Sequence, residues 1–133
     1  MSQDNVDVVR GIYEAWARDE YPGPEGSLDP DVEYVNPAGA IEPGTRRGLD
    51  AFREANEKVL ESWAHWRMEP EEFRAVGDDR VAVVVAYRAR GRASGVEVEG
   101  RESALWTLSE GRVVRYEWFH GPQDALDAVG PAG

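Results

Sequence analysis

The chain has 133 residues, 41% of them hydrophobic, with a formal net charge of −11, two histidines and no cysteine. This length and apolar content predict one packed domain, spanning residues 1–133, rather than a disordered chain. The negative charge argues against nucleic acid or an anionic membrane surface as a partner. The lack of cysteine excludes disulfides and thiol chemistry, and two histidines leave little for a metal site. We therefore expect no metal or other cofactor.

The longest apolar run, Val81 to Tyr87, is too short to cross a bilayer. The N-terminal sequence MSQDNVDVV also lacks the basic and apolar regions of a signal peptide. From these two observations we expect a cytoplasmic protein.

The first half of the chain predicts two helices and one strand. Apolar residues recur at helical spacing over residues 5–18 and again over 49–63. Residues 31–36 alternate in the manner of a strand. The segments 19–30 and 37–48 are rich in proline and glycine, which predicts loops.

In the second half the apolar period changes to two, which indicates strands. We predict strands near 66–76, 80–90, 96–108 and 112–120, followed by a short helix or tail at 123–129. Turn-forming residues separate the strands, so they are expected to form an antiparallel meander. Helices gathered on one side of such a sheet give an α+β fold.

The segment Val81 to Tyr87 is apolar on both faces, whereas a strand with one wet face would alternate. The helices cover only one face of the sheet, so we predict a homodimer formed through the other, outer face. The alternative is that the C-terminal segment covers this face within one chain.

Four stretches of the sequence resemble the NTF2-like superfamily, in particular its SnoaL-like and ketosteroid-isomerase-like proteins. They are VVRGIYEAW (8–16), LDPDVEYVNPAGAIEPGTRRG (28–48), GDDRVAVVV (77–85) and GRVVRYEWF with ALDAVG (within 111–130). The resemblance implies a cone, in which a curved antiparallel sheet packs on the N-terminal helices and encloses a pocket. The superfamily contains isomerases, cyclases, lyases and non-catalytic members, so it does not fix the activity.

The chain departs from the ketosteroid isomerase pattern at three positions. The family's aspartate base aligns with Asn36, whose amide does not accept a proton near neutral pH. The family's oxyanion-hole tyrosine aligns with Ile12, and its protonated aspartic acid aligns with Ala104. We therefore do not expect steroid isomerisation by that mechanism.

Turn lengths predict which side chains share the inner face of the sheet. If Ser109 to Gly111 is a three-residue loop, Leu108 pairs with Arg112. The inner pairs are then Trp106–Val114, Ala104–Tyr116, Glu102–Trp118 and Gly100–His120. A four-residue loop at 92–95 adds the pairs Val85–Glu102 and Tyr87–Gly100. Gly100 would leave room for a ligand or a bulge.

Glu102 and His120 are the candidate catalytic residues. Burial of Glu102 in an apolar enclosure would raise its pKa and suit it to general acid or base catalysis, and His120 could exchange a proton with it. The alternatives are a hydrated or arginine-paired Glu102 and a histidine at the rim without a catalytic role.

Further residues are candidates for binding a substrate through hydrogen bonds or ring stacking. They are Asn36, Tyr34, Tyr87, Tyr116, Trp106, Trp118, Trp16 and Trp63. The alternative for the rings is core packing, and for Asn36 a turn before Pro37.

The sequence thus predicts cofactor-independent binding and acid/base conversion of a small apolar or aromatic molecule. The reaction would be of the isomerase, cyclase or lyase type. The alternative is a non-catalytic small-molecule-binding module, which the missing acids at positions 36 and 104 favour.

Overall fold

The computed structural model of the protein describes residues 2–40 and 43–129. Within these two ranges the chain forms three helices and one six-stranded sheet. The elements are α1 (Ser2–Ala17), β1 (Leu28–Asn36), β2 (Gly44–Arg47), α2 (Leu49–Ser62), β3 (Trp63–Val76), β4 (Arg80–Gly91), β5 (Glu97–Ser109), β6 (Arg112–Phe119) and α3 (Asp124–Ala128). The predicted α+β fold is confirmed.

The sheet has the order β2-β1-β6-β5-β4-β3. Strands β3 to β6 form the predicted antiparallel meander. Strand β1, however, pairs with β6 in parallel, so the sheet is mixed rather than purely antiparallel. The segment 44–47, predicted to lie in a loop, adds β2 antiparallel to β1.

Strand β1 begins at Leu28, earlier than the predicted start at residue 31, even though it includes Pro30. The register of β1 against β6 is interrupted between Leu28 and Glu33. A proline cannot donate to a strand ladder, so an irregular stretch of this kind accommodates it. The sequence prediction failed here because it treated the proline as the end of a loop.

Helices α1 and α2 pack on the inner face of the sheet, as their apolar stripes require. Val9 and Ile12 of α1, Phe52 of α2 and Val83 of β4 are among the fully buried core residues. This main core holds α1 and α2 over the sheet and thereby forms the cone.

The predicted helix 49–63 ends one residue early, because Trp63 is extended and begins β3. The last turn of α2 has no basic residue of its own. Instead, the Arg92 side chain donates hydrogen bonds to the carbonyl oxygens of Leu60, Glu61 and Trp63, at 3.1 Å each. A cation at this end also interacts favourably with the helix dipole.

The turn between β5 and β6 differs from the predicted three-residue loop. Ser109 pairs with Arg112, so the loop has two residues, Glu110 and Gly111, both with positive φ (52° and 80°). That conformation belongs to the tight hairpin turns that match strand twist. The ladder then shifts between Thr107 and Leu108.

This shift changes the predicted partners along the two strands but preserves the face. The observed pairs are Trp106–Tyr116 and Ala104–Trp118, each two residues away from the prediction. Because side chains alternate with a period of two, Trp106, Ala104, Tyr116 and Trp118 still point inward. Next to the turn the prediction is wrong, because Val113 rather than Val114 is buried in the core. The predicted pairs Val85–Glu102 and Tyr87–Gly100 between β4 and β5 are confirmed.

The outer face of the sheet is covered in part by the C-terminal helix. Ala125 of α3 packs against Ala82 and Leu105 in a second, smaller core cluster. Val84 and Ala86, further along β4, stay partly exposed. The C-terminal segment therefore covers one portion of the outer face within the chain, as the alternative prediction had it. For the uncovered portion, a homodimer remains a prediction.

Of the helices in the described ranges, none combines the length and apolar character that a membrane-spanning helix needs.

Candidate functional site

The interior of the cone is occupied by aromatic side chains from both helices and three strands. Their rings meet at centroid distances of 4.4 Å (Trp106–Tyr116), 4.9 Å (Tyr34–Phe52), 5.1 Å (Tyr34–Tyr116), 5.4 Å (Tyr13–Trp16) and 5.6 Å (Tyr13–Trp106). Four of the predicted substrate-binding residues lie in this cluster, namely Trp16, Tyr34, Trp106 and Tyr116. In this structure their rings pack against one another in tilted and edge-on arrangements, so they also serve the core-packing role that was the alternative.

Glu102 lies on the inner face beside this cluster, on β5 opposite Val85. It is only 9% exposed. Within residues 2–40 and 43–129, its carboxylate has neither a hydrogen bond nor an ion pair. Burial raises the pKa of Glu102 from 4.5 to about 7, because the charged form loses its hydration. The group can therefore both accept and donate a proton near neutral pH.

Three buried phenols interact electrostatically with Glu102. Burial raises the pKa of Tyr13, Tyr34 and Tyr116, and the negative charge of Glu102 raises each further. These tyrosines therefore stay neutral and act as hydrogen-bond donors rather than as bases. The carboxyl group and the phenols together form the polar part of an otherwise apolar interior.

Tyr13 was not among the residues predicted for the site. Ile12, which was aligned with the family's helix tyrosine, is fully buried and packs against the loop at Gly23. The next residue, Tyr13, points into the cone and accepts a hydrogen bond from Trp106 Nε1 at 3.2 Å. The signal in the sequence was the spacing of Tyr13 and Trp16, three residues apart on one helix face.

Asn36, Trp118 and His120 form one rim of the cone. Trp118 Nε1 donates to Asn36 Oδ1 at 2.6 Å, and the His120 ring lies edge-on against Trp118 at 4.9 Å. Ser103 pairs with Phe119, so His120 follows the strand at the level of Glu102 rather than of Gly100 as predicted. His120 is exposed, and its Nε2 would lie 3.2 Å from a methyl group added at Gly39.

Trp63, Trp66 and Tyr87 form a second aromatic row at the far end of β3 and β4. The ring centroids are 5.8 Å apart for Trp63–Trp66 and 5.9 Å apart for Trp66–Tyr87. A methyl group added at Gly100 would lie 2.8 Å from the Tyr87 hydroxyl oxygen. The room that Gly100 was predicted to leave for a ligand is therefore taken by Tyr87.

The loop before β1 is anchored to the cone wall. Trp16 Nε1 donates to the Pro22 carbonyl oxygen at 2.7 Å, and the Trp16 ring stacks on Tyr21 at 5.9 Å. Trp16 thus forms part of the cone wall, and its indole N–H is hydrogen-bonded to the loop.

Over the described residues, no group of three or more His, Asp or Glu side chains is arranged to hold a metal ion. A cavity of about 490 Å³ lies on the outer face between β3, β4 and β5. It is lined by His65, Arg67, Glu69, Ala86, Tyr87, Arg88, Glu99, Gly100 and Arg101. Two of its arginines are paired, Arg88 with Glu99 and Arg101 with Glu71.

The fold is shared by several solved structures. An NTF2-like protein of unknown function from Burkholderia pseudomallei is 27% identical, with a TM-score of 0.79 over 96% of this chain and 98% of that one. TerC, co-crystallised with polyporic acid, is 23% identical, with a TM-score of 0.78 over 96% and 99% of the two chains. A protein from Jannaschia sp. that is provisionally described as a SnoaL-like polyketide cyclase is 19% identical, with a TM-score of 0.76 over 98% of this chain and 92% of that one.

No curated protein matched the chain. The family model for the SnoaL-like domain matches residues 9–116, which run from the middle of α1 to Tyr116 of β6. This match includes Tyr13, Tyr34 and Glu102, and it confirms the resemblance seen in the sequence. The chain belongs to the SnoaL-like domain family.

Proposed function

We propose that the protein binds a small apolar or aromatic molecule in the cone, where the ring cluster would separate to admit it, and converts it by cofactor-independent acid/base chemistry. The observation that carries this proposal is the unpaired carboxyl group of Glu102, buried beside aromatic rings within the described part of the chain. Burying an ionisable group without a partner is costly, and such groups cluster at functional sites. The related structures support the ligand class, because one is provisionally described as a SnoaL-like polyketide cyclase and another was crystallised with polyporic acid.

In the proposed reaction, Glu102 takes a proton from a carbon next to a carbonyl group of the ligand. The electron pair of the broken C–H bond moves toward the carbonyl oxygen, where a neutral phenol donates a hydrogen bond. Glu102 then returns the proton to a different atom. Depending on where the proton and the electron pair go, the result is an isomerisation, a ring closure or an elimination.

Tyr13 is the phenol best suited to this role. Its oxygen already accepts the Trp106 N–H, so its own proton remains to be donated. Tyr34 and Tyr116 lie in contact with each other, with ring centroids 5.1 Å apart, and are proposed as further donors or as walls of the site.

We assign His120 the exchange of a proton between solvent and the site, because it is exposed at the rim and follows the strand at the level of Glu102. Asn36 and Trp118 would close that rim through their mutual hydrogen bond. Tyr87 and Trp63 would contact the ligand at the opposite rim.

A non-catalytic binding module is the second candidate. Two observations favour it: the position of the family's base carries Asn36, whose oxygen is bound to Trp118, and that of its second acid carries the buried Ala104. In that case the cone would hold a ligand without changing it.

We also propose that the protein forms a homodimer through the uncovered portion of the outer face, around Val84 and Ala86. Size-exclusion chromatography with light scattering would test this. A monomeric mass at micromolar concentration would contradict it, and Val84→Glu would convert a dimer to a monomer.

The test of the main proposal compares Glu102→Gln with the control Glu99→Gln. Glu99 is on the same strand but exposed on the other face. Binding of polyporic acid and 2-naphthol would be followed by tryptophan fluorescence between pH 5 and 9. We expect the wild type and Glu99→Gln to show an affinity change near pH 7 that Glu102→Gln lacks. An identical pH dependence in all three proteins would contradict the role of Glu102.

A further inference from the structure

A second polar group is buried without a partner, and it lies on α2. Asn56 is 7% exposed, and its Oδ1 has no hydrogen-bond partner among residues 2–40 and 43–129. Buried polar atoms are nearly always hydrogen-bonded in folded proteins, so a single exception calls for a physical reason. The other fully enclosed atom without a hydrogen bond in these ranges is Arg115 Nε, whose side chain lies 3.4 Å from both Glu33 and Glu117 and so has charged partners.

The position of Asn56 on its helix places it on the cone side. Phe52 precedes it by four residues, so the two side chains lie on the same helix face, one above the other. The Phe52 ring contacts Tyr34 at 4.9 Å and Tyr116 at 5.7 Å, both inside the cone. Asn56 therefore faces the interior of the cone, one helical turn beyond Phe52 in the direction of Trp63 and β3.

The interior thus has two buried polar groups without partners in the described chain, one on each wall. Glu102 is on β5 of the sheet and Asn56 is on α2. An unpartnered amide oxygen is an acceptor and requires a donor, such as a hydroxyl group. A site built to hydrogen-bond a hydroxyl group discriminates strongly against a ligand that lacks one.

We propose that Asn56 is a specificity-determining residue of the cone, whose amide oxygen accepts a hydrogen bond from a hydroxyl group on an aromatic ligand. The ligand class is therefore an aromatic carbonyl compound that also carries a ring hydroxyl group, rather than a hydrocarbon or a ketone without a hydroxyl group. This inference rests on the proposed function, because the ligand is the molecule on which Glu102 would act.

Binding of 2-naphthol and of 2-methoxynaphthalene tests this directly, since only 2-naphthol can donate. We expect the wild type to prefer 2-naphthol by about tenfold, and Asn56→Leu to bind both equally, because one hydrogen bond is lost. Asn56→Ala repeats the comparison with a smaller side chain. No preference in the wild type, or an unchanged preference in both variants, would overturn the inference.

The variant Glu102→Gln separates this inference from the proposed function. If Glu102→Gln loses the preference and Asn56→Leu keeps it, the hydroxyl group meets Glu102, and the role of Asn56 is overturned while the proposed function stands. If Glu102→Gln keeps both the preference and the wild-type pH dependence, the proposed function fails and the role of Asn56 survives.

Thermal unfolding provides a test that needs no ligand, with Asn5 as the matched control. Asn5 is also 7% exposed, but its Nδ2 donates to the Asp78 carbonyl oxygen at 2.8 Å. We expect Asn5→Leu to lower the melting temperature by about 4 °C. Asn56→Leu should leave it unchanged or raise it. An equal loss in both variants would mean that Asn56 has a structural partner, and the inference would be wrong.

Discussion

Replacing Glu102 by glutamine removes a proton-binding group that the fold destabilises in its charged form. Burial raises the pKa of Glu102 from 4.5 to about 7, so the folded protein binds this proton more tightly than the unfolded chain does. One pKa unit corresponds to about 1.4 kcal/mol, so the ionised side chain costs roughly 3 kcal/mol of stability above pH 7. Glutamine has nearly the same shape and carries no charge at any of these pH values.

The sign and the pH window follow from the two pKa values. Below pH 4.5 the side chain is protonated in both states, and the variant and the wild type should be similarly stable. Between pH 4.5 and 7 only the folded state keeps the proton, so wild-type stability falls relative to the variant as the pH rises. Above about pH 7.5 the difference should be constant at roughly 3 kcal/mol, or about 10 °C in melting temperature.

Urea or thermal unfolding of both proteins, followed by tryptophan fluorescence at several pH values from 4 to 8, measures this difference. Subtracting the stability curve of the wild type from that of the variant cancels the contributions of the other carboxylates. These include Glu33 and Glu97, whose pKa values are lowered mainly by hydrogen bonds from Arg47 and Arg90, respectively. A difference that stays flat over the whole range would mean that Glu102 is hydrated or paired, and the argument for its chemistry would be refuted.

Three other substitutions test the fold around the site. Arg92→Ala should lower the free energy of unfolding by about 1 kcal/mol, because it removes three hydrogen bonds at the end of α2. The control Arg90→Ala should lower it less, because the exposed ion pair of Arg90 contributes little. Equal urea midpoints for the two variants would argue against the capping role. Trp106→Phe should cost about 2 kcal/mol, since it loses both the hydrogen bond to Tyr13 and buried ring volume, and an unchanged midpoint would contradict that bond. Gly111→Ala should cost about 1 kcal/mol because its φ of 80° strains any side chain, which thermal unfolding would detect.

Local patterns in the sequence were sufficient to predict the meander and the inward-facing residues of β5, but on β6 they placed Val114 rather than Val113 in the core. The four-residue loop between β4 and β5 gave the register that puts Val85 opposite Glu102. The prediction for the next hairpin is wrong by two residues, because the turn is one residue shorter than predicted and the ladder shifts by one more between Thr107 and Leu108. Such a shift depends on the packing of the whole strand, and turn chemistry alone does not reveal it.

Contacts between distant segments were beyond the reach of sequence patterns. The parallel pairing of Tyr34 with Tyr116 has no local signature, so the sequence predicted an all-antiparallel sheet. The same holds for the site: burial of Glu102 followed from strand alternation, whereas the hydrogen bond of Trp106 to Tyr13 joins residues 93 positions apart. Likewise, the sequence did not predict that aromatic side chains fill the cone, because this depends on how α1 and α2 pack on the sheet.

The parallel pairing of β1 with β6 also has a consequence for biosynthesis. Glu33 and Asn36 meet Arg115 and Trp118, partners 82 residues later in the chain. During translation β1 can pair with β2, but its other edge must wait for β6 until nearly the whole protein has left the ribosome, since contacts of this range form slowly and late. The ring-lined interior is consequently assembled at the end of folding, and a nascent chain stalled before β6 exposes its apolar strands to aggregation and to chaperones.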